Sequence, residues 1–192
     1  MNVLLISAHD DNTSFVAALQ YSALSVLERA GHTVTVTDLY AQQFNPVANK
    51  IDFKTSSVQH ANYMFEQQRS VNTGSAFSPD IEAEMDKVKA ADLIIFHFPL
   101  WWSSPPAIIK GWLDRVLAAG FAYDPNHRYE DGLLKGKKVL LAIAAGDPAS
   151  YYSAEGMHKA SVLQHLYSLT HGTLALSKFV FPHQLVRIMI SE

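Results

Sequence analysis

Tyr152 and His158 stand six residues apart in YSAEGMH (152–158), among small and polar residues. A phenol and an imidazole can each donate a hydrogen bond to a developing anion, and an imidazole titrates near neutral pH. Packing of His158 beside a following helix would explain the same spacing. A second run, PLWWSSP (99–105), sets Pro99, Leu100, Trp101 and Trp102 in a row. Large apolar residues beside prolines suit a core, a partner chain or a flat ligand better than a solvated loop. A third run, HDDNTSF (9–15), offers the donors His9, Thr13 and Ser14 just before Phe15 opens a helical pattern. Hydroxyls beside free N–H groups at a helix start suit a phosphate. Simple capping by Asn12 or Thr13 would account for them equally well.

The elements that must position these runs read as alternating strands and helices. NVLLISA (2–8) and LIIFHF (93–98) are short continuous apolar runs, as expected of strands buried on both faces. HTVTVTDLY (32–40) alternates, and GKKVLLAIAA (136–145) and GTLALSKFVFP (172–182) read as two more strands. Helical patterns cover 15–31, 78–92, 105–120 and about 157–170, with Pro79 and Pro105 at helix starts and Gly31 and Gly120 at ends. On the first helix, Phe15, Ala18, Leu19, Ser22 and Val26 share a face. Residues 41–77 show weak periodicity, and so long an irregular stretch is usually functional or part of an interface. The alternation predicts a single α/β domain over 1–192, a three-layer sandwich around a five-stranded parallel sheet in the order 2-1-3-4-5. The runs 9–15, 99–105 and 145–156 then follow the carboxyl ends of strands one, three and four. Ligands bind there in such sheets, at the switch in strand order.

Composition narrows the chemistry. The chain has 192 residues, 48% of them hydrophobic, and a formal net charge of −3. That balance recruits neither nucleic acid nor an anionic membrane, and it disfavours a strongly acidic electron carrier. With no cysteine, thiolate catalysis and disulfides are excluded. The nine histidines form no HxxxH or HExxH pair, so no metal is expected. The apolar opening is too short for a membrane span and lacks a basic flank, which predicts a cytoplasmic protein.

FPLWW (98–102), PAIIKGWLDRV (106–116), GFAY (120–123), GKKVLLAI (136–143) and YSAEGMH (152–158), in this order, resemble the NAD(P)H:quinone oxidoreductases of the flavodoxin-like fold, the DT-diaphorase group. The likeness runs almost end to end. It implies a homodimer that binds FAD, or alternatively FMN, and passes a hydride from NAD(P)H to quinones in ping-pong turnover. Carried over residue by residue, His9, Thr13, Ser14 and Phe15 hold the flavin's phosphate arm. Pro99, Leu100, Trp101 and Trp102 lie along its ring, and Ala144, Ala145, Gly146 and Asp147 occupy the family's TTGG turn. Tyr152 and His158 match the pair that stabilises charge on the reduced flavin. Trp102, His158 and Tyr123, the last reaching across the dimer interface, line the substrate pocket. AAGD in place of TTGG, Pro125 in place of a second pocket tyrosine and Leu176 in place of a late aromatic predict a reshaped quinone pocket. Relatives acting on azo dyes, nitroaromatics or free flavin, and a regulatory flavoprotein subunit of an ion channel, are the alternative readings.

Overall fold

The computed structural model describes residues 1–54, 62–74, 77–181 and 186–190. β1 (Asn2–Ser7) and β3 (Leu93–Pro99) lie side by side at the sheet centre, paired in parallel. Val3–Ser7 and Ile94–Pro99 are buried, as continuous apolar runs require. β2 (Thr33–Asp38), with β-branched residues and partial exposure, takes one flank, and β4 (Lys138–Ala145) the other. These four parallel strands fall where the sequence places them, in the order β2-β1-β3-β4.

Among residues 172–181 the expected last strand over 172–182 is not formed, and Pro182 lies outside the described residues. Thr170–Ala175 is instead a wide helical turn, and among the described residues of this run Val180 alone bridges to Lys138. Leu174 and Phe179 are buried, so packing overrides the strand-like composition. The outer partner of β4 is a later segment, β5 (Val186–Ile190), again parallel. The helix expected at 157–170 also shortens, to α5 (Val162–His165) and α6 (Tyr167–Leu169). Its start is set by a reciprocal cap between Ser161 and Gln164.

α1 (Phe15–Arg29) covers one sheet face and buries Val16, Ala17 and Gln20, not the face through Phe15 and Val26, which are exposed. Beneath it lies a small cluster of Val3, Leu5, Ile95 and Ala142, flanked by Leu24 and Leu27. The opposite face carries the main core, with Ile6, Phe96 and Phe98 against Ile81 of α3 (Pro79–Ala90) and Ile109 and Trp112 of α4 (Ala107–Val116). Trp112 is fully buried, edge-on to Phe96, and donates Nε1–H to Glu84 Oε2 at 3.0 Å. Glu84 is buried as well and also accepts from Thr37 and Lys87.

The aperiodic stretch 41–77 holds a helix, α2 (Tyr63–Thr73), capped by Asn62 and ended by a left-handed Gly74. Gln67 fixes it to the end of α4 by donating to Asp114 O at 2.9 Å and accepting from Ala119 N at 3.2 Å. Residues 55–61 and 75–76 of that stretch lie outside the described residues. Among the described residues no helix is long and apolar enough to cross a membrane.

Candidate functional site

Three loops converge at the carboxyl edge of β1, β3 and β4. Two hydrogen bonds lock them to one another: Ala8 N–H donates to His97 O at 3.0 Å, and Leu100 N–H to Ala144 O at 2.8 Å. Between them opens a cleft of about 480 Å³, within the range of small-molecule sites. His9, Ser14, Phe15, Pro99, Leu100, Trp101, Ala144, Ala145, Gly146, Asp147 and Tyr152 line it. Val16, which the sequence motifs do not single out, lines it too, because it is the second residue of α1 and opens beside Ser14.

The α1 end leaves backbone donors open toward the cleft. Ser14 Oγ accepts from Ala17 N–H at 3.2 Å, which leaves the N–H groups of Phe15 and Val16 at the open end of a 15-residue helix. Thr13 does not line the cleft. Its N–H and hydroxyl both donate to Asp11 Oδ1, at 2.8 and 2.7 Å, and these bonds hold the Asp11 carboxyl below the usual carboxylate range. His9 Nδ1 accepts from Asp11 N–H at 3.1 Å, and its ring lies edge-on to Trp101 with centroids 6.1 Å apart. Among the described residues no lysine or arginine lines the cleft, and at this end it is lined by His9, Ser14 and the first residues of α1.

The aromatic loop is a tight hairpin. Trp101 and Ser104 exchange two backbone hydrogen bonds of 3.0 Å, while Trp102 and Ser103 sit at the tip with φ of 50° and 57°. Two consecutive positive φ values are the mark of a turn that normally takes Asn-Gly. A tryptophan held there is strained, and strain of this kind collects at functional sites. Its side chain is 99% exposed and so lies outside the cleft of its own chain.

On the far wall, Tyr152 stacks on His158 with centroids 4.5 Å apart and planes at 25°. Burial, followed by the charge of Asp147, pushes the Tyr152 phenol upward, so it stays a protonated donor at neutral pH. His158 does not touch the cleft directly. It sits behind Tyr152, with Nε2 at 3.0 Å from Asp147 Oδ2. Gly156 permits this folding: a Cβ there would meet the carbonyl oxygens of Ser150 and Tyr151 at 2.4 Å. Tyr123 lies elsewhere, in a separate cavity of about 600 Å³ with Tyr63, Met64 and Leu176. That cavity is larger than the cleft, but it lies away from the carboxyl edge where the three loops meet.

A matching family model, described as flavodoxin-like fold, covers residues 1–186. The chain is 43% identical over 179 residues to the human ribosyldihydronicotinamide dehydrogenase (quinone), covering 92% of this chain and 77% of that protein. It is 42% identical over 156 residues to the rat NAD(P)H dehydrogenase (quinone) 1, covering 81% of this chain and 57% of that protein. Among solved structures, a Klebsiella pneumoniae protein assigned as a quinone reductase superposes with a TM-score of 0.89 at 37% identity, covering 98% and 75% of the two chains. The NAD(P)H:quinone oxidoreductase of Methanothermobacter marburgensis superposes with a TM-score of 0.73 at 26% identity, covering 99% and 85%. With these identities spread along nearly its whole length, the chain belongs to the NAD(P)H:quinone oxidoreductase family of the flavodoxin-like fold.

Proposed function

We propose that the protein is a flavin-dependent NAD(P)H:quinone oxidoreductase that works as a homodimer. The observation that carries this reading is the cleft at the carboxyl edge. A helix N-terminus closes one end of it, Leu100 and Trp101 form one wall, and a protonated tyrosine stands at the far rim.

The donor set fits a flavin. The N–H groups of Phe15 and Val16, with His9, would hold its phosphate arm, and Pro99, Leu100 and Trp101 would flank its ring. Gly146 has open space where a side chain would stand, so a ring edge can approach its backbone. A bound flavin, FAD or FMN, would supply the hydride relay between NAD(P)H and quinone. The chain's own part is electrostatic. Tyr152 donates its hydroxyl proton in a hydrogen bond to negative charge as it grows, in the manner of an oxyanion hole. His158 supports Tyr152 from behind, and Leu100 and Trp101 would cover one face of the ring. Titration with FAD and with FMN, followed by NAD(P)H oxidation with menadione as acceptor, tests the reading. We expect one flavin bound per chain and menadione-dependent turnover. Flavin binding without turnover would instead indicate a carrier or a regulatory subunit, and no binding of either flavin would end the proposal.

The exposed apolar surface supports assembly into a dimer. A fully exposed tryptophan on a strained turn, with Ile51 77% and Met64 50% exposed, is poor surface for a lone chain. A second copy would cover it, and Tyr123 of that copy would then reach the cleft beside Trp102. Sedimentation equilibrium at micromolar concentration is expected to give twice the 21.3 kDa chain mass. A fully active monomer would contradict this.

A further inference from the structure

We propose that Asp147 is a positioning residue for His158: it binds the Nε2–H of the imidazole and leaves Nδ1 as the ring atom that exchanges a proton. This rests on the reading of the cleft as a quinone-reducing site.

The geometry is specific. His158 Nε2 lies 3.0 Å from Asp147 Oδ2. The ring is clamped face-on by Tyr152 at 4.5 Å and edge-on by Tyr151 at 6.3 Å and His165 at 6.1 Å. An ionised carboxylate only accepts, so the neutral imidazole beside it must carry its hydrogen on Nε2. Nδ1 has no protein partner among the described residues. Stacking fixes the plane of the ring, and Asp147 fixes which edge faces the cleft wall. The two constraints together leave one orientation and one tautomer. Asp147 itself stands on the loop just after β4, next to Gly146, and lines the cleft.

The reaction gives such a residue a task. NAD(P)H loses a hydride with its electron pair and leaves as NAD(P)⁺. The quinone gains that hydride and one solvent proton, ending with two O–H bonds. His158, oriented by Asp147, takes up the solvent proton from hydronium at Nδ1 and releases it from the same atom, through water, to the reduced quinone oxygen. NAD(P)H, the quinone and one H⁺ thus become NAD(P)⁺ and the hydroquinone, and the imidazole ends neutral. A carboxylate that orients an imidazole in this way resembles the third member of a catalytic triad, with the two ring nitrogens exchanged.

The test compares Asp147→Ala with Asp147→Glu. The glutamate keeps a carboxylate that can only accept, so it should hold the Nε2–H tautomer and stay within a few-fold of the parent in menadione turnover, whereas an asparagine could turn its NH2 to the ring and favour the opposite tautomer. The alanine removes the acceptor. The ¹⁵N signals of the His158 ring should then shift from the Nε2–H pattern toward a mixture of tautomers. Turnover should fall roughly ten-fold, with flavin content unchanged. Asp147→Gly, which also lacks the acceptor, replaces the alanine variant if that one does not fold. Ring signals identical in the parent and the acceptor-free variant would overturn the proposal. So would turnover that is unchanged while the tautomer shifts. Should the flavin-loaded parent fail to reduce quinones, the wider reading of the cleft falls, and the ring signals alone decide whether Asp147 holds His158.

Discussion

Replacing Arg115 by alanine is expected to destabilise the protein by about 3–5 kcal/mol, the range for breaking a buried ion pair. Arg115 is 2% exposed and Asp52 is 0% exposed. The guanidinium meets Asp52 with a two-pronged grip, Nη2 to Oδ1 at 2.9 Å and Nε to Oδ2 at 3.1 Å. Its Nη1 donates to Asp80 Oδ2 at 2.7 Å and to Asn45 O at 2.8 Å, and the group lies over the Phe44 ring. Asp52 also accepts from the Tyr63 hydroxyl at 2.6 Å. One side chain of α4 therefore ties down Asn45, Asp52 and Asp80 and, through Asp52, Tyr63 at the start of α2. Without it, a buried carboxylate loses its countercharge and keeps only neutral donors. Arg115→Lys retains the charge but not the fork, so it should recover only part of the loss. Urea unfolding of the two variants checks this. A loss below about 1 kcal/mol for the alanine variant would mean that the pair does not anchor Asn45, Asp52 and Tyr63 to α4.

Stability should also fall as pH drops through the range set by His97. The side chain is 3% exposed and faces the α1 side of β3, in register with Ser7 and Ala142, with both ring nitrogens unpartnered among the described residues. Burial pushes its pKa down to about 4, from 6.5. The unfolded chain therefore binds a proton at His97 between these values while the folded chain does not. Stability is fully present above pH 6.5, declines as pH falls toward 4, and has no further loss from this group below that. At roughly 1.4 kcal/mol per unit, the whole window amounts to about 3 kcal/mol. His97→Leu should remove this component and leave the protein more stable than the parent at pH 5. Asp11, Asp80, Asp124 and Glu130 have lowered pKa values and contribute their own acid dependence, so the informative quantity is the difference between parent and variant. Denaturation midpoints at pH 7.5, 5.5 and 4.5 supply it. Parallel pH dependences for the two proteins would contradict the assignment to His97.

Much of this architecture is legible in the sequence because local pattern and tertiary environment agree there. The runs 2–8 and 93–98 are apolar throughout since both faces of a central strand are covered, and Pro79 opens α3 because a helix start needs no N–H at that position. Legibility fails where long-range contacts decide. Nothing local in residues 41–77 announces α2: Glu66, Gln67 and Ser70 are its buried residues, a polar set that reads as surface. Their burial depends on partners far away, such as Asp114 and Ala119. LALSKFVF alternates enough to suggest a strand, yet Leu174 and Phe179 are drawn into the core from helical and turn backbone. In the site, the chemical types in the three loops are readable, but directions are not. Thr13 turns back to Asp11, Trp102 points away from its own cleft, and His158 stands behind Tyr152. The contact between Asp147 and His158 spans 11 residues and has no sequence signature of its own.

We propose that this cleft passes a hydride from NAD(P)H to a quinone, with Tyr152, backed by His158, stabilising the charge that develops. Anaerobic stopped-flow mixing of flavin-loaded protein with NADH or NADPH, and then with menadione, tests it most directly. The flavin absorbance should bleach on the first mixing and return on the second. In Tyr152→Phe and His158→Gln the bleaching should slow by roughly ten-fold or more, with flavin content nearly intact. A flavin-loaded protein that does not bleach would contradict the account, and so would bleaching at the parent rate in both variants.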